Sequence, residues 1–129
     1  MDPAIVLALV DQLQGRTIAV IGDIVADEFV YGRVARVSRE APVLILEYDS
    51  SHIVPGGAGN AANNVAAIGG TAALVGLIGR DDAGRRLVQA FHKRVDASKV
   101  VRAPGVATPV KTRILAGGIH SAKQQVVRI

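Results

Sequence analysis

The sequence predicts an α/β fold, a parallel β-sheet covered by helices, with a smaller sheet of hairpin strands beside it. Unbroken apolar runs at 17–21 and 72–78 read as buried strands, and the βαβα alternation around them calls for a parallel sheet with helices on its faces. Residues 29–37 and 43–48 alternate between polar and apolar, which suits strands with one wet face. Half of the residues are hydrophobic but only 3% are aromatic, so the core must be Val, Ile, Leu and Ala in thin, close layers.

The elements follow in order. Asp2 caps a first helix, with Pro3 in its first turn and Gly15 closing it. The strand at 17–21 comes next, then the two alternating strands joined by a loop at 38–42. A helix over 59–68 follows a run of glycines and ends at Gly69-Gly70. After the strand at 72–78, Asp82 caps a helix running to about Lys93. A short strand at 100–102 precedes two strands, 110–115 and 123–129, that form a hairpin around Gly117-Gly118. The chain contains no internal repeat and no low-complexity segment.

The most informative stretch is Pro55-Gly56-Gly57-Ala58-Gly59-Asn60-Ala61-Ala62-Asn63-Asn64. Its glycines let backbone approach a ligand, and the helix behind them presents unpaired N–H groups to polar oxygens. Asn60 and Asn63 both donate and accept, as a polyhydroxylated ligand requires. A dinucleotide loop is the competing reading, since Gly57-Ala58-Gly59-Asn60-Ala61-Ala62 fits GxGxxA and Asp81 is spaced to hold a ribose. Residues 51–55, short and half polar, argue against it, because that motif follows a long buried strand.

The segments Gly56-Gly57-Ala58, Asn60, Ala62, Gly69 and Gly79, followed by Gly79-Arg80-Asp81-Asp82-Ala83-Gly84, resemble the first signature of the PfkB, or ribokinase-like, sugar kinases. Residues 20–27 look like that family's first strand and its substrate aspartate. Within the family, Asp27 to Gly32 and Arg36-Val37-Ser38-Arg39-Glu40-Ala41-Pro42-Val43 resemble the heptose-7-phosphate kinases of lipopolysaccharide core synthesis. Residues 108–129 look like the second lid hairpin of those enzymes, and Gly59, where Ala is more usual, is a mild departure. The resemblance implies a ribokinase-like βαβ sandwich with a small β-sheet lid. Residues 1–129 would be its incomplete N-terminal part, with lid segments at about 28–48 and 108–129.

The resemblance also assigns roles. Asp27 would accept hydrogen bonds from sugar hydroxyls, its alternative being a cap or turn aspartate; Asp23 is either a sugar contact or a turn residue. Gly56 and Gly57 would bring backbone against the sugar, and Asn60 would bond a ring hydroxyl or only cap its helix. A phosphorylated sugar needs cations, and Arg39, Lys111, Arg113 and Arg128 are the candidates against a role as solvated surface. Gln125 could reach the sugar from the hairpin. Glu40 reads as structural, and Asp81 and Gly84 as turn geometry. His52, His92 and His120 have no mutual spacing of a metal site, and none is expected.

No counterpart of the family's second signature, a Gly-Ala-Gly-Asp turn with the catalytic base and an anion hole, occurs here. The resemblance therefore places the base, and most of the ATP and Mg²⁺ site, beyond Ile129; no catalytic residue is assigned and the chain alone should be inactive. Heptose 7-phosphate is the favoured acceptor. The alternatives are another sugar kinase acting on ribose, fructose or fructose 6-phosphate, or a catalytically inactive sugar-binding and dimerisation module. A homodimer through the lid is expected in either case. The +4 charge is scattered and aromatic platforms are scarce, which argues against nucleic acid. The absence of Cys excludes disulfides, a thiol nucleophile and cysteine zinc sites. Residues 4–10 are apolar but too short to span a bilayer, and no basic leader precedes them, so a cytoplasmic protein is expected.

Overall fold

The structure, a computed structural model, describes residues 2–117 and 122–129. Gly118, the turn of the last hairpin and His120 lie outside the described residues. In chain order the elements are α1 (Pro3–Asp11), β1 (Thr17–Ile21), β2 (Ile24–Val37), β3 (Leu44–Gly57), α2 (Ala58–Ala67), β4 (Thr71–Gly79), α3 (Asp82–Gln89), β5 (Val95–Ala103), β6 (Val110–Gly117) and β7 (Gln124–Arg128). They build two sheets. A parallel three-stranded sheet has the order β1-β4-β5, and a four-stranded sheet has the order β3-β2-β6-β7. In the second sheet β2 runs antiparallel to β3 and parallel to β6, and β7 returns antiparallel to β6.

The local signals for β1, α2 and β4 hold to within about a residue, as expected where periodicity is set by near neighbours, while α1 ends at Asp11, short of Gly15. Asp2 caps α1 by accepting from the Ala4 N–H at 2.9 Å. Other expectations need correction. β1 is not buried: it lies at the edge of its sheet and Ile21 is 76% exposed, because an apolar run does not reveal which element covers it. β2 and β3 are each 14 residues, so Asp27 sits inside a strand and Gly56 and Gly57 end one. The lid sheet accordingly begins at Ile24, ahead of the lid start expected at about residue 28. β5 extends well beyond the short strand expected at 100–102. The dinucleotide reading fails here, since β3 belongs to the antiparallel pair with β2.

The core is small. Ile24, Ala26, Ala62, Ala72, Leu74, Ile78 and Leu87 form one buried cluster, with α2 lying over β4 and the root of β2 reaching into it. β2 therefore belongs to the core at its start and to the lid beyond.

A second fastening joins β4, α3 and the approach to β6. Asp81, not Asp82, caps α3: its carboxylate accepts from the Gly84 N–H at 2.8 Å, and α3 ends at Gln89 rather than near Lys93. The same carboxylate accepts from the Thr108 hydroxyl at 2.6 Å and the Thr108 N–H at 2.7 Å, while that hydroxyl accepts from the Gly79 N–H at 3.0 Å. The Thr108 hydroxyl first, then the two backbone N–H groups, hold the Asp81 carboxyl at about 2, below its ordinary 3.8. The turn geometry read for Asp81 and Gly84 is thus a clamp.

Two outcomes follow. A Cβ on Gly84 would lie 2.6 Å from the Gly79 carbonyl oxygen and 2.8 Å from the Thr108 hydroxyl. Gly84→Ala gains about 1 kcal/mol of helix propensity, but overpacking costs about 1–3 kcal/mol. The net effect is destabilisation, read from the urea midpoint. Because the folded Asp81 pKa lies below the unfolded one, its contribution is complete above the ordinary carboxylate range and is lost as pH falls towards 2. An Asp81→Asn variant should show a shallower acid limb between pH 4 and 2 in the same titration.

Candidate functional site

The site grows from the period-2 alternation of β2. Cross-strand partners share a face, and Asp27 pairs with Lys111, Phe29 with Arg113 and His52, and Tyr31 with Leu115. On β7, Arg128 stands opposite Arg113 and Gln125 opposite Leu115. Asp27, Lys111, Arg113, Gln125 and Arg128 therefore lie on one face of the lid sheet.

Asp27 is the focus of that face. Its Oδ1 accepts from Arg113 Nη1 at 2.9 Å, and Lys111 Nζ stands 3.8 Å from the same oxygen. The Asp27 and Arg113 side chains are each 22% exposed. The Arg113 guanidinium also lies over the Phe29 ring, 5.0 Å from its centroid. His52 stacks on Phe29 at 5.3 Å and on Tyr31 at 5.4 Å, and Lys123 Nζ lies 5.3 Å from the Tyr31 ring while pairing with Asp49 at 2.6 Å. This aromatic and cationic ladder was not legible beforehand. His52 carried no motif, and only the β2–β3 register places it between two rings.

The opposite face of β2 is fastened to α3. Glu28 Oε1 accepts from Arg86 Nη1 at 3.0 Å and its Oε2 accepts from the Thr112 hydroxyl at 3.1 Å; Arg86 Nη2 also donates to Ser51 Oγ at 3.3 Å. The polar Asp27-Glu28 pair within an otherwise apolar start was the one available signal for this contact.

The glycines stand at the root of the face. A Cβ on Gly56 would lie 2.6 Å from Asp27 Oδ2, and one on Gly57 would meet the Asp23 carbonyl oxygen. Gly57 has φ +55, a conformation that favours glycine, and it caps α2 with no side-chain bond. Asp23 lies exposed in the turn between β1 and β2, and its carbonyl accepts from the Ala58 N–H at 2.8 Å. Asn60 is exposed on the first turn of α2.

Two other residues stand apart. Asn63 is a structural residue, donating to the Ala90 carbonyl at 3.3 Å and accepting from the His92 N–H at 2.9 Å. Arg39 sits exposed in the bend between β2 and β3, beyond the strand pairing that gathers the other cations. Among the described residues, no group of three or more His, Cys, Asp or Glu could hold a metal ion. No helix among them is long and apolar enough to cross a membrane.

The architecture is that of the ribokinase-like α/β fold. The profile described as pfkB family carbohydrate kinase matches residues 16–122, and the chain belongs to that family. It is 42% identical over 111 residues to the bifunctional protein HldE of Hyphomonas neptunium, covering 85% of this chain and 23% of that protein. It is 48% identical over 110 residues to the HldE of Granulibacter bethesdensis, covering 84% and 21%. This chain therefore spans about a quarter or less of these relatives. Among solved structures, the ribokinase of Arabidopsis thaliana complexed with ribose and ATP superimposes with a TM-score of 0.58 at 16% identity, covering 90% of this chain and 36% of that one. A carbohydrate kinase from Agrobacterium tumefaciens gives a TM-score of 0.59 at 23% identity, with 88% and 34% covered. These two likenesses establish the ribokinase-like fold.

The Glu28–Arg86 contact is testable. Each side chain is under a third exposed. Glu28→Ala leaves the guanidinium and the Thr112 hydroxyl without their partner, so stability should fall by about 1–3 kcal/mol. A double-mutant cycle with Arg86→Ala should return a coupling of about 0.5–3 kcal/mol. Purely additive single losses would remove the contact from the set that fixes the lid.

Proposed function

We propose that this chain is the sugar-binding part of an ATP-dependent kinase whose acceptor is a sugar or sugar phosphate, heptose 7-phosphate before fructose 6-phosphate or ribose. The observation that carries the proposal is the Asp27 carboxylate, set against a glycine turn at one end and a row of cations at the other, in a pfkB-family chain. The Ser38-Arg39-Glu40-Ala41-Pro42-Val43 run supports the heptose branch, and the HldE relatives agree with it.

In this reading Asp27 accepts from a sugar hydroxyl, Gly56 and Gly57 admit the ring, and Asn60 and the open N–H groups of α2 bind further oxygens. Lys111, Arg113 and Arg128 hold the sugar's existing phosphate, with Gln125 beside them. The lid covers the acceptor and excludes water, the competing nucleophile. Bound Mg·ATP supplies the phosphoryl group, and this chemistry depends mainly on positioning and electrostatics. We assign the base and the nucleotide site to residues outside this chain, so the chain alone should not turn over.

A second copy is proposed to pack on the far side of the lid. There Val43, Leu44, Leu46, Ile114, Val126 and Val127 line an apolar groove of about 400 Å³. Sedimentation of the full-length protein should give a dimer that Leu44→Asp converts to monomer.

The deciding experiment is ADP release by the full-length protein with Mg·ATP and each of the three sugars. Strong preference for heptose 7-phosphate is expected, and Asp27→Asn should lower kcat/KM about a hundredfold or more. Wild-type rates in a folded Asp27→Asn variant would remove Asp27 from the site. Failure of every sugar would favour a binding module without catalysis.

A further inference from the structure

On the lid face, several cations gather around one carboxylate. Arg113 has two holds at once, the 2.9 Å ion pair with Asp27 Oδ1 and the face of Phe29. Resting on the sugar-kinase reading above, we propose that Arg113 guards Asp27. A sugar then gains the Asp27 carboxylate only when its own phosphate draws the guanidinium away.

The competition for Oδ1 supplies the reason. Oδ2 lies packed against Gly56, so Oδ1 is the oxygen left to a sugar hydroxyl, which must displace Arg113 to reach it. A charge-assisted bond is roughly twice as strong as a neutral one, so a neutral sugar exchanges a strong contact for a weak one. It also leaves a guanidinium that is only 22% exposed without an anion. A phosphorylated sugar makes a different exchange, because its phosphate accepts two parallel bonds from the released guanidinium.

Three features of the face fit this exchange. Arg128 stands directly opposite Arg113 on β7, and like charges in that position repel until an anion comes between them. Lys111, 3.8 Å from Asp27 Oδ1, keeps a cation beside the carboxylate after Arg113 leaves. Phe29 lies one same-face step from Asp27 along β2, on the order of 6–7 Å, and carries the guanidinium in the direction of Tyr31 and Lys123. The hydroxyl and the anion must then be separated by about that step, as they are in a sugar carrying a terminal phosphate.

The test is calorimetric binding of heptose 7-phosphate and of the unphosphorylated heptose to the full-length protein without nucleotide. Wild type should bind the phosphate ester and discriminate strongly against the free sugar. Arg113→Gln should weaken the ester by about tenfold or more while tightening the free heptose, so that the preference collapses. Arg113→Lys keeps the charge but loses the fork, and should fall between the two. Equal weakening of both ligands by either variant, or an unchanged free-heptose affinity in a folded Arg113→Gln protein, would overturn the guard. If Arg113→Gln does not fold, an Arg113→Lys variant with the wild-type preference overturns it. Should the wild type bind neither ligand, the sugar-kinase reading fails and the guard with it. Should the wild type bind the ester and the variants keep its preference, only the guard is wrong.

Discussion

Asp27 and Glu28 are neighbours in sequence and face opposite sides of β2, and each is held by a cation from a different element. Arg113 of β6 takes Asp27, and Arg86 of α3 takes Glu28. A strand slipping by one residue would exchange the two carboxylates and break both pairs. The register of β2 thus fixes which side of the lid receives Asp27 and which side docks on the core. The strand starts among fully buried residues, Ile24 and Ala26, so the lid's position is inherited from the core packing. β6 adds to the same strand in parallel, which brings Lys111 and Arg113 to Asp27 although they lie more than 80 residues away in sequence.

The glycine run acts chiefly by clearing space. At Gly56 the missing Cβ makes room for the Asp27 carboxylate, and at Gly57 it makes room for the Asp23 carbonyl. That carbonyl in turn receives the first N–H of α2. One tight passage therefore sets the start of β2, the end of β3 and the start of α2, while leaving further α2 N–H groups uncapped by any side chain. Gly79 and Gly84 have a comparable task around Asp81 and Thr108, where the purpose is fastening.

Much of this was legible in the sequence wherever the signal is local. The apolar runs marked β1 and β4, the small-residue helix marked α2, and the spaced glycines marked the family. What escaped depends on register and on distant partners. The lengths of β2 and β3 were underestimated, since the lid was expected to start at about residue 28 and the glycines resemble loop locally. Asn63 looked like a ligand residue because nothing near it announces the Ala90 carbonyl and His92 N–H that occupy it. His52 is exposed as expected, but its stacking on two rings depends on the β2–β3 pairing. Lys111 and Arg113 were among the candidate cations, but their convergence on Asp27 needed the parallel β2–β6 pairing.

The ion pairs divide by exposure. Arg33–Glu47 has side chains 57% and 63% exposed, a setting in which a pair contributes about 0–1 kcal/mol. Arg86–Glu28 and Arg113–Asp27 are far less exposed, so desolvation offsets much of their attraction and losing one partner leaves the other uncompensated. Glu28 is held by Thr112 and by Arg86, and Arg86 in turn donates to Ser51. For Asp27 the pairing is incomplete: one oxygen carries Arg113, while the other faces the glycine turn. Two chemically similar pairs on adjacent residues thus serve opposite faces of β2. One ties the lid sheet to α3, and the other orients the carboxylate to which we assign the sugar.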